Sequence, residues 1–314
     1  MSLDADSCYR ALESRDVRFD GMFFVAVQTT GIYCRPICPA RIPAQKRCVF
    51  YRRAAEAERA GFRACFRCRP ELAPGPAAVD AVPRLVREAV LRIEAGALNA
   101  GSVDDLAADL GVTSRHLRRT LEAELGVTPV ELAQTKRLAL AKQLLQGTSL
   151  PITDVAYASG FASLRRFHAA FRERFRRAPG DLRRGRGESR ELDETVRLRL
   201  DYRPPLDWQR LVGFLRSRAI PGVEDATDDR YARTARIDRA SGWFSVTPMR
   251  DRNALALDVS TSLLPVLPAV IARARNIFDL DARPDVIAQR LGKDSILSKS
   301  VKQRPGLRVP GAFD

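Results

Sequence analysis

At 314 residues, 45% of them hydrophobic, the chain is long enough for two or three domains with ordinary cores. Its formal net charge of +15 and isoelectric point near 10.2 make an anionic polymer the expected partner. No apolar run approaches the roughly 20 residues that span a bilayer, and the opening MSLDADSCYR is too polar and acidic for a secretory signal.

The first informative stretch is residues 29–70, TTGIYCRPICPARIPAQKRCVFYRRAAEAERAGFRACFRCRP. Three residues separate Cys34 from Cys38 and two separate Cys65 from Cys68, with 26 residues between the pairs. This C-x3-C…C-x2-C spacing predicts one tetrahedral Zn²⁺ held by four thiolates, since soft sulfur ligands favour zinc over magnesium or calcium. On spacing alone such a site reads as a staple for a small domain with little core of its own. With four of six cysteines in metal spacing, a reducing cytosol is expected rather than a disulfide framework, hence a cytoplasmic location. Cys8 and Cys48 read as ordinary buried thiols.

TTGIYCRPICPAR followed by GFRACFRCRP resembles the N-terminal domain of the Ada family of DNA-methylation-damage proteins, over about residues 5–72. The resemblance implies that Cys34 is both a ligand and a nucleophile, taking a methyl group from a DNA methylphosphotriester irreversibly. It further implies that Thr30, Arg41 and Arg67 hold the damaged backbone. The chemistry is reasonable on first principles. The thiolate is the reactive form of cysteine, and zinc keeps it deprotonated without a general base. That suits a chain with two histidines, neither of them here. Four thiolates on Zn²⁺ carry a formal −2, and methylating one leaves −1, so affinity for phosphates is expected to rise after repair.

Residues 72–82, LAPGPAAVDAV, read as a linker. After Pro83, RLVREAVLRIEAG has helical periodicity and stops at Gly96. In SVDDLAADLGVTSRHLRRTLEAEL, Ser102 and Asp105 predict a capping box, Leu106 and Leu110 an inward face, and Gly111 a turn. A second helix follows from about Thr113 with Leu117, Leu121 and Leu125 on one side; Ser114, Arg115, His116, Arg118 and Arg119 are its candidate DNA contacts. A long helix, about PVELAQTKRLALAKQLLQ, leads to a second such unit, PITDVAYASGFASLRRFHAAFRERF. There Leu164, Phe167, Phe171 and Phe175 mark a core stripe, while Arg165, Arg166, His168 and Arg172 fall off it toward DNA. Nine of the 22 residues in 165–186 are arginines, which favours phosphate contact over a merely solvated face. The pair of units resembles the AraC family DNA-binding domain over about residues 84–184, implying that both second helices enter adjacent major-groove segments.

Gly185–Glu188 reads as a second linker. Beyond it, strand-like runs surround a helix at LDWQRLVGFLRSR, and a further helix is expected at about LLPVLPAVIARARNIFDL. This part resembles the N-terminal α/β domain of AlkA-type DNA-3-methyladenine glycosylases over about residues 190–280. The closing RPGLRVPGAFD looks like the entrance to that family's catalytic helical domain. That domain's helix-hairpin-helix and catalytic carboxylate are not in the sequence, and neither Asp281 nor Asp314 has their context. Glycosylase activity is therefore not expected of residues 1–314, nor is O6-methylguanine repair, whose PCHR-type motif is missing.

The expectation is a multidomain α+β protein. It comprises a zinc and methyl-acceptor α/β domain (1–74), an all-α double helix-turn-helix domain (83–184) and an AlkA N-terminal-like α/β domain with the start of a glycosylase domain (190–314). Its expected partners are double-stranded DNA, methylated or promoter, at the bacterial nucleoid, with RNA polymerase a further candidate and no membrane. Two alternatives stay open: a zinc-stapled AraC-like regulator without methyl transfer, and a fragment of a glycosylase fusion.

Overall fold

A computed structural model describes residues 4–75, 83–183 and 194–313. The second expected linker and residues 76–82 of the first lie outside these. The chain forms two compact units: Met1–Ala73, Ala81–Leu192 and Leu267–Ala269 make one, and Pro74–Asp80, Asp193–Val266 and Val270–Asp314 the other.

The first unit opens with α1 (Ala5–Glu13), capped by Asp4. A sheet of order β3-β1-β2-β4 follows, with β1 Phe24–Val27, β2 Ile32–Cys34, β3 Cys48–Tyr51 and β4 Arg63–Ala64; α2 (Ala54–Arg59) lies between the last two in sequence. β1 and β2 form a hairpin whose turn needs Gly31 at φ +64°, with the Thr30 and Gly31 amides both donating to the Val27 carbonyl. β2 and β4 pair in parallel, Tyr33 opposite Ala64, so two strands end side by side. Cys34 closes the first and Cys65 follows the second. Cys8 is buried as expected, but Cys48 is half-buried: it ends up at the sheet's edge strand, its thiol donating to the Ala44 carbonyl at 3.6 Å.

Among the described residues, seven α-helices follow in this unit: α3 Arg84–Glu94, α4 Ala97–Ala100, α5 Val103–Asp109, α6 Ser114–Leu125, α7 Pro129–Gly147, α8 Ile152–Ala158 and α9 Leu164–Phe175. Polar caps set the starts of four of them. Ser102 and Asp105 form the expected capping box, Thr128 and Glu131 form another at α7, and Thr113 and Ser163 cap α6 and α9. Leu117, Leu121 and Leu125 are buried with Leu106 and Val86, and Phe167, Phe171 and Phe175 are buried along α9. Gly160 makes the α8–α9 turn at φ +89°, and a Cβ there would meet the Asn99 carboxamide at 2.3 Å. The short α4 was not expected from the sequence.

The second unit is an antiparallel sheet, β5-β9-β8-β7-β6, from β5 (Thr195–Asp201), β6 (Glu224–Ala226), β7 (Tyr231–Ile237), β8 (Ala240–Met249) and β9 (Ala254–Ser260). Val196, Leu198 and Leu200 alternate inward. Its helices are α10 (Trp208–Arg216), α11 (Leu267–Ile277), α12 (Pro284–Leu291) and α13 (Leu297–Gln303). Trp208 stacks on Phe278, and Phe313 on Phe244. The closing segment thus packs onto this α/β unit. Pro74 and Gly75, read as linker, are ordered here because the buried Arg203 donates to both their carbonyls and the Gly75 amide donates to Asp281.

Candidate metal centre and nucleic-acid face

The parallel β2–β4 pairing assembles the four cysteines. Cys34 ends β2, and Cys38 is one turn further on, its amide donating to the Arg35 carbonyl. The Cys65 amide donates to the Tyr33 carbonyl at 3.0 Å, tying the second pair beside the first. The four sulfurs lie within 4.8 Å of one another. Around a tetrahedral zinc with bonds near 2.3 Å, sulfurs stand about 3.8 Å apart, so small side-chain rotations close the site.

The donor chemistry fits the ion. Hydrogen bonding to Cys38, Cys65 and Cys68, together with burial, pushes the Cys34 thiol up, while Cys38 is lowered to about 7, chiefly by its bond with Cys34. Four thiolates this close all ionise only around a cation. Among the described residues, these are the group of four cysteines that can hold a metal, and the site suits one Zn²⁺.

The sulfurs are not equivalent. Backbone amides of Arg67 and Arg35 donate to Cys65 and Cys68 at 3.4 Å each, and the Ala40 amide lowers Cys38. Among the described residues, no such amide reaches Cys34, which is half-buried. Arg35 is itself fixed: its buried guanidinium pairs with the buried Asp20, with Nε at 2.8 Å from Oδ1.

The other expected site residues are spread over three surfaces. Thr30 lies exposed in the β1–β2 turn, its hydroxyl donating to the Val27 carbonyl; Arg41 and Arg67 are exposed on the cysteine loops. On α6, Arg115, His116, Arg118 and Arg119 are exposed and Ser114 is half-buried in the first turn. On α9, Arg165, Arg166 and Arg172 are exposed, whereas His168 is half-buried with its ring 5.5 Å from Phe167.

Sequence reading missed a polar seam inside the first unit. The buried Glu58 of α2 accepts from the Tyr33 hydroxyl (2.9 Å) and the Thr135 hydroxyl of α7 (2.5 Å), and pairs with Arg174 of α9. Burial nevertheless raises its pKa, outweighing Arg174. Nearby, fully buried Lys142 of α7 donates to Glu71 at 2.7 Å and to the Cys65 carbonyl at 2.9 Å. The Phe66 ring, between Cys65 and Cys68, meets Arg63, Lys142 and Arg177 at 5.2–5.4 Å and Phe175 at 6.0 Å. One signal was available: Lys142 falls on the Leu138–Leu145 stripe, where an apolar side chain belongs.

Comparison with known proteins agrees along the chain. The family model described as the metal binding domain of Ada matches residues 7–71, a helix-turn-helix domain 106–185, and the AlkA N-terminal domain 197–314. A Mycobacterium tuberculosis protein, a probable bifunctional transcriptional activator/DNA repair enzyme AlkA, is 41% identical over 99% of this chain and 63% of its own length. This chain thus spans less than two thirds of that relative. The Bacillus subtilis bifunctional transcriptional activator/DNA repair enzyme AdaA is 31% identical over 57% of this chain and 82% of its own. Among solved structures, the methylated N-Ada/DNA complex matches 42% of this chain and 97% of its own at 34% identity, with a TM-score of 0.21, too low to argue from. Four cysteines gathered by paired strand ends, two capped helix-turn-helix units behind them and a relative matched over most of its length give one answer: the chain belongs to the Ada family of bifunctional transcriptional activators and DNA repair proteins.

Proposed function

We propose that this chain repairs DNA methylphosphotriesters by transferring the methyl group to Cys34, and that the transfer strengthens promoter binding by its AraC-type helices. We divide the work among residues 1–74 for transfer, 83–184 for DNA reading and 190–314 for an AlkA-type α/β module. The observation that carries the reading is the inequality of the four sulfurs. Cys34 is half-buried and, among the described residues, lacks the amide donors that quiet Cys65 and Cys68.

Bound zinc would keep the four sulfurs deprotonated at neutral pH and leave Cys34 a lone pair. Cys34 Sγ attacks the methyl carbon, a carbon–sulfur bond forms, and the carbon–oxygen bond to the phosphate breaks. The electron pair stays on the phosphate oxygen, restoring an ordinary diester anion. No proton moves, so the two histidines are not needed. A thioether is not hydrolysed in water, so each molecule acts once. Thr30, Arg41 and Arg67 hold the backbone. Arg115, His116, Arg118 and Arg119 on α6, with Arg165, Arg166, His168 and Arg172 on α9, face the grooves, and Ser114 caps a phosphate approach. The protein acts on double-stranded DNA at the nucleoid, with RNA polymerase as partner at activated promoters. No described helix is long and apolar enough to cross a membrane.

We assign no glycosylase step to residues 1–314. Of the two acids considered, Asp314 lies outside the described residues, and Asp281 is engaged by Arg275 and the Gly75 amide. One observation favours a second reading, a zinc-stapled regulator without transfer: the Cys65–Cys68 loop is packed on α7 and α9. Mass spectrometry after incubation with methylated DNA separates the two. A gain of one methyl group mapping to Cys34, and lost in Cys34→Ala, is expected; wild type that keeps its zinc and gains no methyl overturns the transfer.

A further inference from the structure

We propose that Lys142 is a positioning residue for the zinc loop, holding the Cys65 carbonyl so that Cys65 and Cys68 stay seated against α7. The inference rests on the zinc site alone and not on methyl transfer. An ammonium with no solvent exposure is unfavourable unless its donors are engaged. Here one proton goes to Glu71 at 2.7 Å and one to the Cys65 carbonyl at 2.9 Å, while the Phe66 ring stands 5.2 Å away. Glu71 is itself fixed, accepting from Arg69 Nε at 3.1 Å.

An apolar side chain at this point of α7 fills the same space between Leu138 and Leu145, but it cannot orient a carbonyl. Holding that carbonyl fixes the plane of the peptide after Cys65. The fixed plane sets the turn in which the Arg67 amide reaches back to Cys65 Sγ at 3.4 Å. Lys142 thus does for a backbone oxygen beside the metal what outer carboxylates do for ligating histidines. The same contacts join the metal loop to the helix linking the two helix-turn-helix units, and through Phe66 and Phe175 to the end of α9. Retention of the ion and order in these helices become one property.

The test uses the full zinc-loaded chain and a chromophoric chelator, with no methyl donor present, so failure of the repair reading leaves it untouched. Lys142→Met is expected to surrender zinc about tenfold faster, the loss typical of removing an outer-shell partner. Because Lys142→Met strands Glu71, the double variant Lys142→Met/Glu71→Gln decides. It is expected to keep wild-type circular dichroism and still surrender zinc about tenfold faster. A folded double variant with wild-type release overturns the proposal. A measurement on the wild type needs no variant: stripping zinc is expected to raise amide exchange across residues 138–145 and the last turn of α9. Unchanged protection there overturns the proposal equally.

Discussion

Glu58 offers the sharpest check on the seam between the cysteine sheet and the helices. Replacing it by alanine strands the Tyr33 hydroxyl, the Thr135 hydroxyl and the Arg174 guanidinium together. Breaking a buried ion pair costs about 3–5 kcal/mol, and the 22% exposure of Arg174 places this pair at the lower end. Two orphaned hydroxyls add about 1 kcal/mol each. The sum, about 5 kcal/mol, corresponds to a fall of roughly 10–20 °C in Tm for a unit of this size. Glu58→Gln should do much less, because it keeps the shape and an acceptor and removes the buried charge. The pH dependence separates the two effects. Burial raises the folded-state pKa of Glu58 above its ordinary value. Its contribution is therefore fully present below the unfolded-state pKa and is lost as pH rises through the folded one. Glu58→Gln should remove that loss and flatten the stability profile on the mildly acidic side. Urea and thermal melts followed by circular dichroism from pH 4 to pH 8 measure both. Should Glu58→Ala melt within about 2 °C of wild type, less than 1 kcal/mol, the seam holds nothing together and the reasoning fails.

Methylating Cys34 removes one formal negative charge near the backbone; at about 8 Å and an effective dielectric near 20 this is worth about 2 kcal/mol, or roughly thirtyfold in affinity. Gel shifts before and after methylation at low salt should show a rise that shrinks with added salt, and equal affinities would remove the switch. Single substitutions Arg118→Ala and Arg165→Ala should each lower the slope of log affinity against log salt by about 0.9 if they touch phosphate. A slope identical to wild type would mark those arginines as solvated surface.

What could be read in advance follows from range. The cysteine spacing, the Ser102–Asp105 box and the Phe167–Phe171–Phe175 stripe are encoded within a few residues of chain, so each was visible before any fold was known. The zinc site needed one further fact, the parallel pairing of Tyr33 with Ala64, which sequence periodicity does not carry. Of the seam, only the place of Lys142 on the Leu138–Leu145 stripe gave a signal. Glu58, Glu71 and Lys142 look like surface charges in a chain rich in them, and only tertiary packing turns them inward. α7 gives little help, because its buried residues lie around nearly its whole circumference, Leu132 and Thr135 as well as Lys142 and Leu145. The capture of Pro74 and Gly75, the described part of the expected linker, was hidden for the same reason. The stretch has a linker's composition, yet the carbonyls of Pro74 and Gly75 are captured by Arg203, 129 and 128 residues further on.

If Cys34 accepts the methyl group as proposed, the clamp of Arg35 on Asp20 bears on how a lesion arrives. The residue after Cys34 is bolted to a buried carboxylate, so the main chain that carries this sulfur is held in place. The damaged backbone would then come to the sulfur rather than the sulfur to it. An ethyl ester, more hindered at the attacked carbon than a methyl ester, should then be repaired more slowly.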